Sequence, residues 1–150
     1  MKEVFKKTKN SWPTKAAMEQ VYERKLWGDN NSNFYSGSGS HQLDIVKPYI
    51  ATVISFLRSL KTPITLCDLG CGDFNVGKEL VKYAKKYIAI DIAAPLITFN
   101  KEKFKESNLE FHCLDIAVAD LPLGDCAIVR QVLQHLSNAE VQAIVNKLVN

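Results

Sequence analysis

The chain has 150 residues, 47% of them apolar and 23% charged, a composition that suits one globular domain and excludes intrinsic disorder. The net charge of +3 sits at the start: residues 1–15 hold five lysines against one glutamate, and the rest of the chain sums to about −1. So small a basic segment makes no nucleic-acid footprint, no apolar run approaches the roughly 20 residues of a membrane helix, and no apolar leader marks a signal peptide. Cys67, Cys71, Cys113 and Cys126 show no metal-ligand spacing. Three of them fall in or beside apolar strand-like runs, where a thiol behaves as a small hydrophobe. A cytoplasmic protein without a metal site is expected.

There are no internal repeats, and the pattern predicts a single domain over 1–150, with a helical N-terminal cap (1–60) on an α/β core (61–150). Residues 14–26 place Met18, Val21, Tyr22 and Leu26 at helical spacing. The glycine- and serine-rich stretch 28–40 reads as a flexible loop. A second helix is predicted from about Leu43 to Leu60, with Ile45, Tyr49, Val53, Phe56, Leu57 and Leu60 on its apolar face and Pro48 marking a kink or a start. From Pro63 the rhythm changes. The runs 64–70, 87–91, 109–115 and 126–132 read as buried strands, 76–84 and 94–105 as helices. Ser137-Asn138-Ala139-Glu140 is a capping box that opens a last helix. Such alternation implies a parallel sheet with right-handed crossovers, whose ligands bind beyond the carboxyl ends of the strands.

At those ends the sequence repeats one feature. The first strand ends in Asp68-Leu69-Gly70-Cys71-Gly72, the second in Asp91-Ile92, the third in Asp115-Ile116. Paired glycines let the backbone turn tightly and let a ligand approach the main chain. An acid at the second strand end is placed to grip the two hydroxyls of a ribose, with charge-assisted hydrogen bonds of about 1.5–3 kcal/mol each. A dinucleotide loop would need glycine at position 75, where Asn75 stands, and Asp68 would repel a pyrophosphate. A cationic sulfonium carrying an amino-acid tail suits that acid better. No Gly-x-x-x-x-Gly-Lys phosphate loop is present.

Residues 64–136, through ITLCDLGCGDF, YIAIDI, FHCLDIA and CAIVRQVLQHLS, resemble the cofactor-binding core of the class I S-adenosylmethionine-dependent methyltransferases. The resemblance implies a Rossmann-like sheet of order 3-2-1-4 and S-adenosylmethionine as cofactor. It puts Asp68, Gly70, Cys71 and Gly72 at the methionine end, with Gln131 beneath it. Asp91 would hold the ribose hydroxyls, Ile92 and Ile116 would pack on the adenine, and Asp115 would accept its amino group. Trp27-Gly28 followed by Ser36-Gly37-Ser38-Gly39-Ser40 is similar to a segment that precedes the core in some small bacterial methyltransferases, where it folds over the cofactor.

Methyl transfer from a sulfonium is an in-line displacement that depends mainly on alignment, with a general base needed only for a protonated acceptor. His135 is the candidate base, with Tyr22 and Tyr35 behind it; His112 reads as a core histidine, and His41 has little to argue for it. The fourth strand leads into Arg130-Gln131-Val132, not the Asn/Asp-Pro-Pro-Tyr/Phe run of amide and exocyclic-amine methylation, which leaves a small-molecule acceptor as the expectation. The resembling family has seven strands and only four are readable, so an open edge is expected at 126–132, to be covered by further strands or a second copy. Two functions follow: an active methyltransferase, or a cofactor-binding domain that does not catalyse without a partner chain.

Overall fold

The computed structural model describes residues 14–28, 31 and 33–149; the basic segment at 1–13 lies outside them. Four parallel strands carry the fold: β1 (Thr65–Leu69), β2 (Lys86–Asp91), β3 (Leu109–Cys113) and β4 (Cys126–Ile128), in the order β3-β2-β1-β4. The helices are α1 (Thr14–Glu23), α2 (Leu43–Ser59), α3 (Gly77–Leu80), α4 (Ala94–Lys103) and α5 (Asn138–Leu148).

Alternation along the central strands divides the core by sheet face. Leu66, Tyr87, Ala89 and Phe111 face α2 and α3, packing with Leu57, Phe74 and Leu80. Cys67, Leu69, Ile88 and Ile90 face the other way, onto Ile116, Ala117 and Ile144 of α5. Asp68 shares the face of Leu66, and the buried Tyr87 hydroxyl donates to its Oδ2 at 2.9 Å. Among the described residues no helix is long and apolar enough to cross a membrane.

Element boundaries differ from the sequence pattern where tertiary partners decide. After α1, Lys25 takes φ 51° and the Leu26 amide reaches back to the Val21 carbonyl at 2.9 Å, a stop that leaves Leu26 exposed. Helix α2 starts five residues before Pro48 and runs through it. Its buried face is Val46, Ile50, Val53, Ile54, Leu57 and Leu60, while Ile45 and Phe56 point outward, so the apolar stripe is rotated by about one residue from the expected one. The predicted helix at 76–84 breaks after Leu80 into a 3-10 turn (Val81–Tyr83), because the Asn108 amide takes the Val81 and Ala84 carbonyls, both at 2.9 Å. Strand β4 is three residues long, not seven. Its pairing with β1 ends at Asp68↔Ile128, beyond which β1 turns off into the glycine loop. It is the sheet edge, as expected. Helix α5 begins with the predicted box: Glu140 N–H donates to Ser137 Oγ, and Ser137 N–H to Glu140 Oε2 at 2.7 Å.

His112 is a correction. Strand β3 is the other sheet edge, and His112 lies partly exposed there, 3.2 Å from Glu110 Oε2, while Glu110 Oε1 pairs with Lys86 Nζ at 2.8 Å. Cys113 on the same strand is exposed too, whereas Cys67 is buried.

Candidate cofactor-binding site

The loop after β1 is held from three sides. Gly70 and Cys71 donate their N–H groups to the Ile90 carbonyl (2.8 and 2.9 Å), and Gly72 N–H donates to Asp91 Oδ2 at 3.0 Å. Asn100 on α4, fully buried, donates from Nδ2 to the Gly72 carbonyl at 2.8 Å. Gly70 and Gly72 have φ of 90° and 55°, and a Cβ on either would strike Val132 or Ser36. Both therefore have to be glycine for conformation and for space. Asp91 accepts from Gly72 with one oxygen and from Ala93 N–H (3.1 Å) with the other, tying the first and second strand ends into one rim.

These strand ends open into a cavity of about 500 Å³, within the usual range for ligand sites. The residues expected to bind the cofactor, Asp68, Gly70, Cys71, Gly72, Asp91, Ile92, Asp115, Ile116 and Gln131, all line it, as does the candidate base His135. Burial dominates the ionisation of Asp68, Asp91 and Cys71. It pushes the Asp68 carboxyl up to about 7, against the Tyr87 hydroxyl that favours the anion. It also raises Asp91, which the amides of Ala93 and Gly72 pull back, and it raises the Cys71 thiol far enough to keep it neutral. Asp115 is less enclosed. Its Oδ1 accepts from Ala117 N–H at 2.9 Å, closing a turn whose carbonyls at 116, 117 and 119 all accept from Lys147 Nζ on α5, at 3.1, 2.9 and 2.7 Å.

The glycine- and serine-rich stretch is not loose where it is described. It forms a strap across the glycine loop. Ser36 N–H donates to Asp73 Oδ2 (3.0 Å), Asp73 N–H donates back to Ser36 Oγ (2.7 Å), and His41 Nε2 lies 2.5 Å from Asp73 Oδ2. Asn75 Nδ2 donates to the Ser40 carbonyl at 2.8 Å, and Arg130 Nη2 to the Gly39 carbonyl at 2.6 Å. Ser36 to Ser40 thereby become cavity wall.

The proposed bases separate. Tyr22 is buried with its hydroxyl 3.1 Å from Ser36 Oγ, and burial beside Asp91 drives its pKa far above the ordinary phenol value, so it cannot ionise near neutral pH. Tyr35 lies outside the cavity wall, its ring stacked 4.6 Å from His41. His135 faces the cavity with its ring 5.3 Å from Trp27. The sequence suggests Ser36 only as part of a segment folding over the cofactor and gives His41 little weight; it assigns no role to Asp73, Asn100 or Arg130. Asp73 and Arg130 adjoin the motifs and could have been suspected on that ground; Asn100 sits in the middle of a helix and gave no signal. Among the described residues there is no cluster of metal-ligating side chains.

A parallel sheet of order 3-2-1-4 with an acid-rimmed cavity at its carboxyl end is the Rossmann-like architecture of class I methyltransferases. The chain belongs to the methyltransferase-domain family, which it matches over residues 66–150. A curated relative, malonyl-[acyl-carrier protein] O-methyltransferase of Acetivibrio thermocellus, is 36% identical over 92 residues, covering 59% of this chain. This chain spans 32% of that relative's length. Among solved structures, magnesium protoporphyrin IX methyltransferase from Synechocystis PCC 6803 with bound S-adenosylmethionine shares the fold at TM-score 0.66 and 19% identity, over 94% of this chain and 73% of that one. The N-methyltransferase NodS from Bradyrhizobium japonicum WM9 in complex with S-adenosylhomocysteine shares it at TM-score 0.61 and 20% identity, over 87% and 67%.

Proposed function

We propose that the chain binds S-adenosylmethionine and transfers its methyl group to a small-molecule acceptor. The observation that carries this is the convergence of Asp68, Asp91 and Asp115 on one cavity across a side-chain-free glycine loop. The residues present fit the cofactor. Asp91 keeps lone pairs free beyond its two amide partners and takes the ribose hydroxyls. Leu114, Ile92 and Ile116 supply an apolar slot for the adenine, and Asp115 offers its second oxygen to the amino group. Asp68 and the loop hold the cationic methionine end. When bound, the cofactor supplies an electrophilic methyl on a sulfonium. The protein's part is to align the acceptor with it and to exclude water, an effect that can reach about 7–11 kcal/mol. The strap covers the site for that purpose, with the described residues of 1–60 acting as cap and those of 61–150 as core. His135 is placed to take a proton from an acceptor that carries one.

Support for the activity comes from the family; support for a small acceptor comes from relatives named for a carrier-bound malonyl group and a porphyrin. Four free cysteines accord with a reducing cytoplasm. The test is calorimetric titration with S-adenosylhomocysteine. Micromolar binding is expected, and Asp91→Ala should weaken it at least 100-fold through loss of two charge-assisted hydrogen bonds. No binding by folded wild-type protein refutes the reading.

A second reading is a domain that binds the cofactor but methylates only with a partner. The half-exposed β4 edge favours it, since a three-residue edge strand has free pairing groups that a second copy of the chain could cover.

A further inference from the structure

Charge around the cavity is lopsided. Asp68, Asp73, Asp91 and Asp115 line it, and Arg130 is the single arginine or lysine among the described residues that do. Its guanidinium lies 5.0 Å over the Tyr49 ring and donates to two neutral oxygens, the Gly39 carbonyl at 2.6 Å and Ser40 Oγ at 3.4 Å. The ion pairs seen between two described residues are His41–Asp73, Lys86–Glu110 and His112–Glu110. Arg130 joins none of them. Across the cavity it favours the anionic form of Asp68 without a direct ion pair, which leaves the guanidinium able to take an arriving anion.

The cofactor read into this site carries two positive groups, sulfonium and ammonium, and one carboxylate. The acids of the rim answer the positive groups; Arg130 is the one arginine or lysine among the described lining residues that can answer the carboxylate. Position agrees with charge. Arg130 follows β4, whose Ile128 pairs with Asp68 on β1, so the guanidinium stands at the methionine end and not near the adenine slot. The strap atoms it holds, Gly39 and Ser40, wall the same end. We propose that Arg130 is the carboxylate clamp of the amino-acid tail, and that the strap orients its guanidinium before the ligand enters. This rests on the reading of the cavity as an S-adenosylmethionine site and adds which side chain reads the amino-acid end.

The experiment is a chemical double-mutant cycle by calorimetry, with S-adenosylhomocysteine and its decarboxylated analogue as probes on wild type, Arg130→Gln and Arg130→Lys. Wild type should bind the carboxylate-bearing ligand 10- to 100-fold more tightly than the analogue. Arg130→Gln should lose that factor for S-adenosylhomocysteine and leave the analogue within twofold of its wild-type affinity. Arg130→Lys, keeping the charge without the fork, should restore part of the preference. Equal losses for both ligands would mean that Arg130 only props the strap, and no loss for either would place the carboxylate elsewhere; each result overturns the clamp. Absence of any binding to wild type instead fails the cofactor reading itself, so the two failures are separable.

Discussion

Replacing Asp68 by asparagine removes a buried charge while keeping an oxygen for the Tyr87 hydroxyl, which now donates to Oδ2 at 2.9 Å. Burial pushes this carboxyl from 3.8 up to about 7. Below pH 3.8 it is protonated in both folded and unfolded chains. Between there and about 7 the folded state keeps a proton that the unfolded state has released, so stability falls as pH rises through that window. Above it the group is ionised in both states and the full penalty stands. Asp68→Asn should therefore flatten the decline in ligand-free stability between pH 5 and pH 8 by about 3 kcal/mol, read by urea unfolding at each pH. Asp91, also raised by burial, leaves a residual slope of the same sign. At pH 8 the variant should be the more stable protein and the weaker binder of S-adenosylhomocysteine. An undiminished pH slope in the variant would refute the claim that burial holds the Asp68 proton in the ligand-free chain.

Other perturbations test the supports of the site. Ser137→Ala should cost about 1 kcal/mol through loss of the α5 cap, a drop of about 2–4 °C in thermal midpoint. Phe74→Ala should cost about 3–5 kcal/mol in urea unfolding, because its fully buried ring packs edge-on against Tyr87, Phe104 and Phe111. Lys147→Met strips three carbonyls of their donor, so hydrogen exchange at 115–119 should quicken while α5 amides keep their protection.

The strand ends were legible because their signal is local: an apolar run, an acid and glycines lie within a few residues, and the sheet's topology brings those ends together. Contacts made across the chain were not. The strap reads as a linker from its composition, yet its order comes from Asp73, Asn75 and Arg130, of which Arg130 lies 91 residues from Gly39. Strand β4 was overestimated for a similar reason. The apolar run at 126–132 is real, but strand length depends on a partner, and β1 has already turned away at Gly70. His112 fits an apolar strand by its neighbours, and only the sheet order reveals that the strand is an edge.

Phe74 holds a left-handed backbone, φ 62°, two residues after Gly72. A bulky aromatic in that conformation needs its surroundings to impose it, and here the ring's burial at the meeting point of three other aromatics does so. The shape of the glycine loop is thus settled when the interior packs, long before any ligand arrives. Substitutions that loosen Phe104 or Phe111, far from the cavity, should surface first as weakened ligand affinity, and conditions that soften the interior should blunt binding before they unfold the chain.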